Sequence, residues 1–327
     1  IRTISVTGQG GAIFSYRGDL SSCINCYFHN NSIQINSDKF TVDTGFNAQG
    51  GSFYLESMTL DFINCTFQNN FCLANASYWD INLLGGAIYT TKCKLKFNMC
   101  HILNNNLFSY GKRSGPSFII QGGAFCMLYT ESNFSECVFI DNSISFKPEK
   151  DSEFFMSKFY GGAIYTYNNA KSTYLINCSF SNNYIKIPNH DEGGFGGGIF
   201  LLKGKIERSK FINNKAFNGA DIFYEQGKTD ELEIIENEFI HDDNFNQGIK
   251  SLIKINGIYN SSSINQFSKN KILILNQSIH VFDGEMELDE EHDPQTYKLK
   301  FKFNNNCIFP YEEKIFKTNN IQFHDET

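Results

Sequence analysis

Two short motifs alternate along this chain, and their repetition limits what it can fold into more than any other feature. The first is Gly-Gly-small-apolar: Gly10-Gly11-Ala12-Ile13, Gly50-Gly51-Ser52-Phe53, Gly85-Gly86-Ala87-Ile88, Gly122-Gly123-Ala124-Phe125, Gly161-Gly162-Ala163-Ile164 and Gly196-Gly197-Gly198-Ile199. A degenerate copy stands at Gly219-Ala220-Asp221-Ile222. The six full copies are spaced by 40, 35, 37, 39 and 35 residues. The second motif follows each copy of the first and reads Cys-x-apolar-x-(Asn/Asp)-Asn, beginning at Cys26, Cys65, Cys100, Cys137 and Cys178, with Ser209 opening a sixth copy. A period of this length carrying two motifs in constant order means that each copy is one structural unit, which buries its apolar face only by stacking on its neighbours.

Within each unit the pattern is that of strands. In Ile63-Asn64-Cys65-Thr66-Phe67 and Ile176-Asn177-Cys178-Ser179-Phe180, apolar and polar residues alternate, so one face is buried and the other solvated. Asn-Asn marks a corner because Asn tolerates positive φ, and Gly-Gly marks another where a missing Cβ permits a tight bend or close backbone approach. The stretch from each Asn corner to the next Gly-Gly, such as 32–49 or 146–160, varies in length and reads as a third side carrying loops.

Stacked in parallel, such units place equivalent residues in columns about 4.8 Å apart. Phe28, Phe67, Ile102, Phe139, Phe180 and Phe211 then fill the interior, and Asn31, Asn70, Asn105, Asn142, Asn183 and Asn214 form an amide ladder. Parallel crossovers are right-handed in nearly all cases. The expected fold is all-β: a right-handed, single-stranded parallel β-helix of nine to ten coils, forming one domain over residues 1–327 and a rod of roughly 40–50 Å.

Regular coils are expected over 1–225 and degenerate ones over 226–327. In the latter part 232–240, 251–259, 271–282 and 297–303 read as strands. Asn237-Glu238-Phe239 and Asn265-Gln266-Phe267 read as worn copies of the second motif, and the acidic stretch 283–295 as an exposed loop. The chain opens at Ile1 without an apolar leader, as expected of a processed protein or a piece of a longer one.

Composition agrees with strands: 38 Asn, 36 Ile and 33 Phe stand against 19 Leu, which disfavours a helical fold. No run of 18 apolar residues is present to form a membrane-spanning helix. A formal net charge of −7 provides no field to attract nucleic acid.

The paired GGA(I/F) and FxxN motifs, over about residues 8–245, resemble the repeats of the polymorphic membrane protein (Pmp) family, large surface-exposed adhesins with a pectin-lyase-like β-helix. The resemblance implies an extracellular β-helix with an adhesive or structural role. No C-terminal membrane-barrel pattern follows the repeats here.

Ten cysteines are present, and five of them, Cys26, Cys65, Cys100, Cys137 and Cys178, share one column. They read either as small buried hydrophobes that stack well or as disulfides between neighbouring coils. In-register neighbours are slightly too far apart for good bridge geometry, so off-column pairs such as Cys72 with Cys93 or Cys23 are the better candidates. Zinc is disfavoured, because Cys23-x-x-Cys26 has no second ligand pair. Asn30, Asn64, Asn75, Asn133, Asn177, Asn260 and Asn276 head N-glycosylation sequons. Alternation points Asn64 and Asn177 outward, while Asn75 and Asn260 fall in expected loops.

Polysaccharide-cleaving β-helices need clustered carboxylates and a base in a groove. The one candidate is His241-Asp242-Asp243 with Arg208 and Lys210 one coil away; the favoured reading is that Asp242 simply takes the corner position after Phe239, where Asn usually sits. Asp289, Glu290, Glu291 and Asp293 are dense enough for calcium but lack the spacing of a calcium loop. The Gly-rich run 193–198 lacks the Gly-Lys-Ser/Thr of a phosphate loop. Tyr78-Trp79 and Glu153-Phe154-Phe155-Met156 are aromatic segments that either fold back on the rod or meet a partner.

The sequence thus predicts a non-enzymatic extracellular or cell-surface structural or adhesive protein without cofactor or metal. Protein or glycan surfaces are its expected partners, and self-association into filaments is expected through unpaired end strands. The alternative expectation is a carbohydrate-binding or polysaccharide-degrading β-helix.

Overall fold

The structure, a computed structural model, describes residues 4–18, 22–37, 44–76, 81–111, 118–148, 158–167, 172–187, 194–226, 232–241, 251–258, 264–274, 280–287, 299–304, 307–309, 316–318 and 321–325. One turn consists of five short strands: β1 (Ile4–Gln9), β2 (Ile13–Tyr16), β3 (Ser22–Ile24), β4 (Tyr27–His29) and β5 (Ser32–Ser37). Each pairs in parallel with the strand at the same position one turn on: Ile4 faces Thr44, Ile13 faces Phe53, Cys23 faces Phe62, Phe28 faces Phe67 and Ile33 faces Cys72. The result is a β-solenoid of five parallel walls, with no helix among the described residues.

The coil is not a three-sided tube of constant width. The side expected to carry only loops contains two strands, so a complete turn has five walls. There are about five complete turns rather than nine to ten. The second and third walls run on to ten strands each and the fourth to nine, but the first stops at six and the fifth at five. Beyond Gly219 the rungs have three walls at most. The acidic stretch also departs from expectation: 283–287 belongs to the strand His280–Glu287, which pairs with Ser251–Ile258, and 288–295 lie outside the described residues. Backbone pairing there outweighs local charge.

Five walls enclose two cores. The second, third and fourth walls surround the larger one, in which Phe53, Leu60, Phe62, Cys65 and Phe67 recur rung after rung. The first and fifth walls form a flat lobe around Phe46, Ala48, Cys72 and Ala74. Aromatic rings stack along the axis of the larger core, as in Phe139–Phe180 (4.5 Å between centroids, 4° between planes), Phe180–Phe211 (5.1 Å, 7°) and Phe97–Phe134 (4.7 Å, 9°). Offset stacking adds to the burial of each ring.

The two sequence motifs are the two sides of the neck between these cores. The first glycine of each pair turns the chain with positive φ, from 61° at Gly10 to 73° at Gly196. The second sits where a Cβ would strike the carbonyl of the next rung's glycine and the backbone across the neck: Phe71 for Gly51, Asn106 for Gly86 and Ser143 for Gly123. Those three residues each follow a ladder asparagine. The first Asn or Asp of each Asn-Asn pair turns the facing corner with φ of 51–56° (Asn30, Asn69, Asn104, Asp141, Asn182, Asn213).

The second Asn lies inside the neck. Asn70 donates Nδ2 to Asn105 Oδ1 (2.9 Å) and to the Phe28 carbonyl (3.0 Å), while its own Oδ1 accepts from Asn31 N (3.1 Å) and Nδ2 (2.9 Å). The same set is repeated through Asn105, Asn142 and Asn183 as far as Asn214. An amide that meets four partners in a dry neck avoids the penalty of an orphaned buried group, about 1–3 kcal/mol each.

Candidate functional site

The ladder ends on the one buried ionisable pair of note. Asn214 donates Nδ2 to Asp221 Oδ1 (2.9 Å), and His241 Nε2 lies 2.7 Å from Asp221 Oδ2 with neither side chain exposed. Asp221 occupies the Ala position of the degenerate Gly219-Ala220-Asp221-Ile222, so an acid replaces a small apolar residue at the rung where the flat lobe ends.

This placement removes His241 from the cluster expected of a polysaccharide-cleaving site. His241 is buried against Asp221, not open to a groove, and Asp242 and Asp243 lie outside the described residues. Arg208 turns back to Glu207 (2.9 Å) and Asn177 (3.2 Å), and Lys210 faces Glu238 (3.6 Å). Lys210 belongs to rows of surface ion pairs that link successive rungs. Others are Lys94–Glu131 at 3.4 Å, Lys205–Glu233 at 3.3 Å and Lys269–Glu236 at 3.0 Å. Such exposed pairs are worth little individually. The acidic candidates Asp289, Glu290, Glu291 and Asp293 lie outside the described residues, among which no cluster of His, Cys, Asp and Glu is arranged to hold a metal ion.

Cys23, Cys26, Cys65, Cys72, Cys93, Cys100, Cys126, Cys137 and Cys178 are free thiols. Cys65, Cys100, Cys137 and Cys178 are buried in the larger core, where each donates to the carbonyl two residues before it at 3.3–3.4 Å. Burial pushes the Cys65 thiol up to about 11, and hydrogen bonds from Cys100 and Cys178 raise Cys137 well above the ordinary thiol range. The off-column bridge is not formed. Cys72 lies in the flat lobe, whereas Cys93 and Cys23 belong to the larger core, with the neck between them.

A third apolar cluster lies outside the tube, in the re-entrant corner between the first and second walls. Tyr54, Tyr89, Cys126, Tyr165, Phe200 and Phe223 alternate with inward residues of the second wall and pack against Leu84, Tyr160 and Phe195 of the first. The corner is filled by its own side chains. Burial, followed by the bond from its hydroxyl to Glu56 (3.1 Å), pushes Tyr54 up to about 12. At the first rung Phe14, which stacks on Tyr54, is 55% exposed.

Most of the variable sequence falls at one place in the coil; 17–21 and 168–172 are longer connections between the second and third walls. On the five complete turns the chain leaves the fifth wall and re-enters the first around 38–43, 77–80, 112–117, 149–157 and 188–193, all outside the described residues. Tyr78-Trp79 and Glu153-Phe154-Phe155-Met156 belong to these segments. Of the sequon residues, Asn30, Asn64, Asn75 and Asn177 are exposed and Asn133 is half-buried; Asn260 and Asn276 lie outside the described residues. Asn75 sits in the strand Phe71–Ala76 and not in a loop. No helix of the described residues is long and apolar enough to cross a membrane.

Fold and surface together define a β-solenoid of the parallel, laddered kind. The chain matches no protein-family model, and no curated protein or solved structure is detectably similar to it.

Proposed function

We propose that this chain is a non-enzymatic extracellular or cell-surface scaffold, a right-handed pectin-lyase-like β-helix of the polymorphic membrane protein type that displays contact segments along one edge. The observation that carries this reading is the shared seam. The described corners are held by glycine geometry, left-handed corner residues and stacked side chains, whereas the stretch between the fifth and first walls varies in length and sequence from turn to turn. A stiff support that concentrates non-repeated sequence on one edge suits adhesion to a protein or glycan surface. Exposed sequons at Asn30, Asn64, Asn75 and Asn177 agree with passage through a glycosylating secretory route. Self-association into filaments is the matching assembly, by pairing of parallel strands from one copy to the next.

The test replaces 77–80 and 149–157 by Gly/Ser segments of equal length and measures binding to cell surfaces and to a glycan array. Binding lost at unchanged melting temperature is the expected result. Binding retained by both replacements, or turnover of polyuronates by the unaltered chain, would overturn the scaffold reading and favour the carbohydrate-cleaving alternative.

A further inference from the structure

The first rung differs from every rung beneath it at one interior position. Along the third wall, register places Cys23 over Phe62, which is followed by Phe97, Phe134, Leu175, Ile206 and Ile234. Three residues on, around a corner made by Asn25 (φ 54°), stands Cys26 at the head of the thiol column. In the lower rungs the interior third-wall position beside the column sulfur carries a bulky apolar side chain. Here two sulfurs occupy adjoining positions. Both pack on the larger core, and the Cys26 thiol donates to the carbonyl of Ile24, which lies between them in the chain (3.3 Å). Both are also partly exposed, whereas Cys65, Cys100, Cys137 and Cys178 are buried.

We propose that Cys23 and Cys26 form a redox-active dithiol that closes to an intramolecular disulfide by exchange with a low-molecular-weight disulfide, while the thiols beneath remain reduced. One cysteine thiolate attacks a sulfur of the small disulfide, breaks its S–S bond and releases one small thiolate, which takes up the proton. The second cysteine, deprotonated in turn, attacks the protein sulfur of the mixed disulfide and expels the other small thiolate. Two cysteine thiols are oxidised and one small disulfide is reduced to two thiols. Cys23 and Cys26 stand three residues apart around one corner, whereas column neighbours at the strand spacing of about 4.8 Å exceed ordinary Cβ separation. Burial and then the Cys26 sulfur push the Cys23 thiol up, so exchange accelerates as pH rises.

The experiment treats the reduced, folded protein with oxidised glutathione at mildly alkaline pH. The protein is then denatured, alkylated, weighed intact and mapped by peptide. The expected product has lost two hydrogens, carries two fewer alkyl groups and contains one peptide in which Cys23 is joined to Cys26. Cys26→Ser should stop at a single glutathione adduct on Cys23. Cys23→Phe, which restores the residue of the next three rungs, should fold with an unchanged circular dichroism spectrum and should not lose two hydrogens. A Cys26–Cys65 bond, a disulfide-linked dimer, an adduct that never closes, or no reaction in the unaltered protein would each overturn the assignment.

Discussion

The five-walled and three-walled parts of the solenoid use the same rung but satisfy its corners differently. In the five-walled part the buried amides stand in the neck, from Asn31 to Asn214, and the corner between the third and fourth walls is filled by thiols. In the three-walled part the neck is gone and that second corner carries the amides. Ser209 N donates to Asn237 Oδ1 (2.8 Å), and Asn237 N and Nδ2 donate to Asn270 Oδ1 (2.9 and 3.0 Å). The exchange falls on one rung, where Ser209 replaces the column cysteine and Asn214 hands its last donor to Asp221. The second glycine is lost at the same place: Ala220 takes its position, because no wall remains across a neck to collide with a Cβ. A ladder therefore belongs to a corner that must be dry and polar at once, and not to the repeat as such.

The sharpest way to break this comparison is to put a Cβ into the neck. Gly123→Ala should cost about 5 kcal/mol, enough to abolish cooperative urea unfolding of the five-walled part. Alkali should come next. Burial raises Cys72 and Cys126, so the native state keeps protons that the unfolded chain loses. Stability is then full below the ordinary thiol value of about 8.5 and falls above it, by about 1.4 kcal/mol per pH unit for each thiol. Hydrogen exchange followed from pH 7.5 to 10 should show residues 44–186 loosening first.

Asn142→Ala should cost about 3 kcal/mol by urea denaturation, since it strands the Asn105 amide and removes the partner of Asn183. By contrast Ala220→Gly, the glycine motif restored where there is no neck, should cost no more than about 1 kcal/mol. Smallest of all, Lys94→Ala should shift the same midpoint by less than about 0.5 kcal/mol, because its pair with Glu131 is exposed.

Much of the five-walled part is legible in the sequence because its motifs are steric necessities. Each Gly-Gly and each Asn-Asn does one job that few residues can do, and parallel register copies it along the stack. What is illegible arises where many residues serve. Left-handed corners at Ser57, Lys92, Met99, Tyr129 and Glu136 carry no signal, since neighbouring rungs and not the residue impose the conformation. With those corners hidden, five walls read as three. In the three-walled part the same ambiguity shifts register. Asn237-Glu238-Phe239 does continue the fourth wall, but Asn265-Gln266-Phe267 lies on the third, with Phe267 facing Ile234; the fourth-wall copy is Asn270-Lys271-Ile272. Asn-x-apolar alone cannot tell two walls apart once cysteine is missing. The Asp221–His241 pair spans 20 residues, and its one trace is an acid where the motif has alanine.

The neck ladder also has a direction. Every amide from Asn31 onward gives its proton to the next, so six side-chain dipoles lie head to tail and none opposes another. Aligned dipoles polarise one another, and their positive end falls on the Asp221 carboxylate, as the start of a helix falls on an anion. The stack is in effect a wire of amides grounded on a carboxylate, and a fault in any rung is felt along its length.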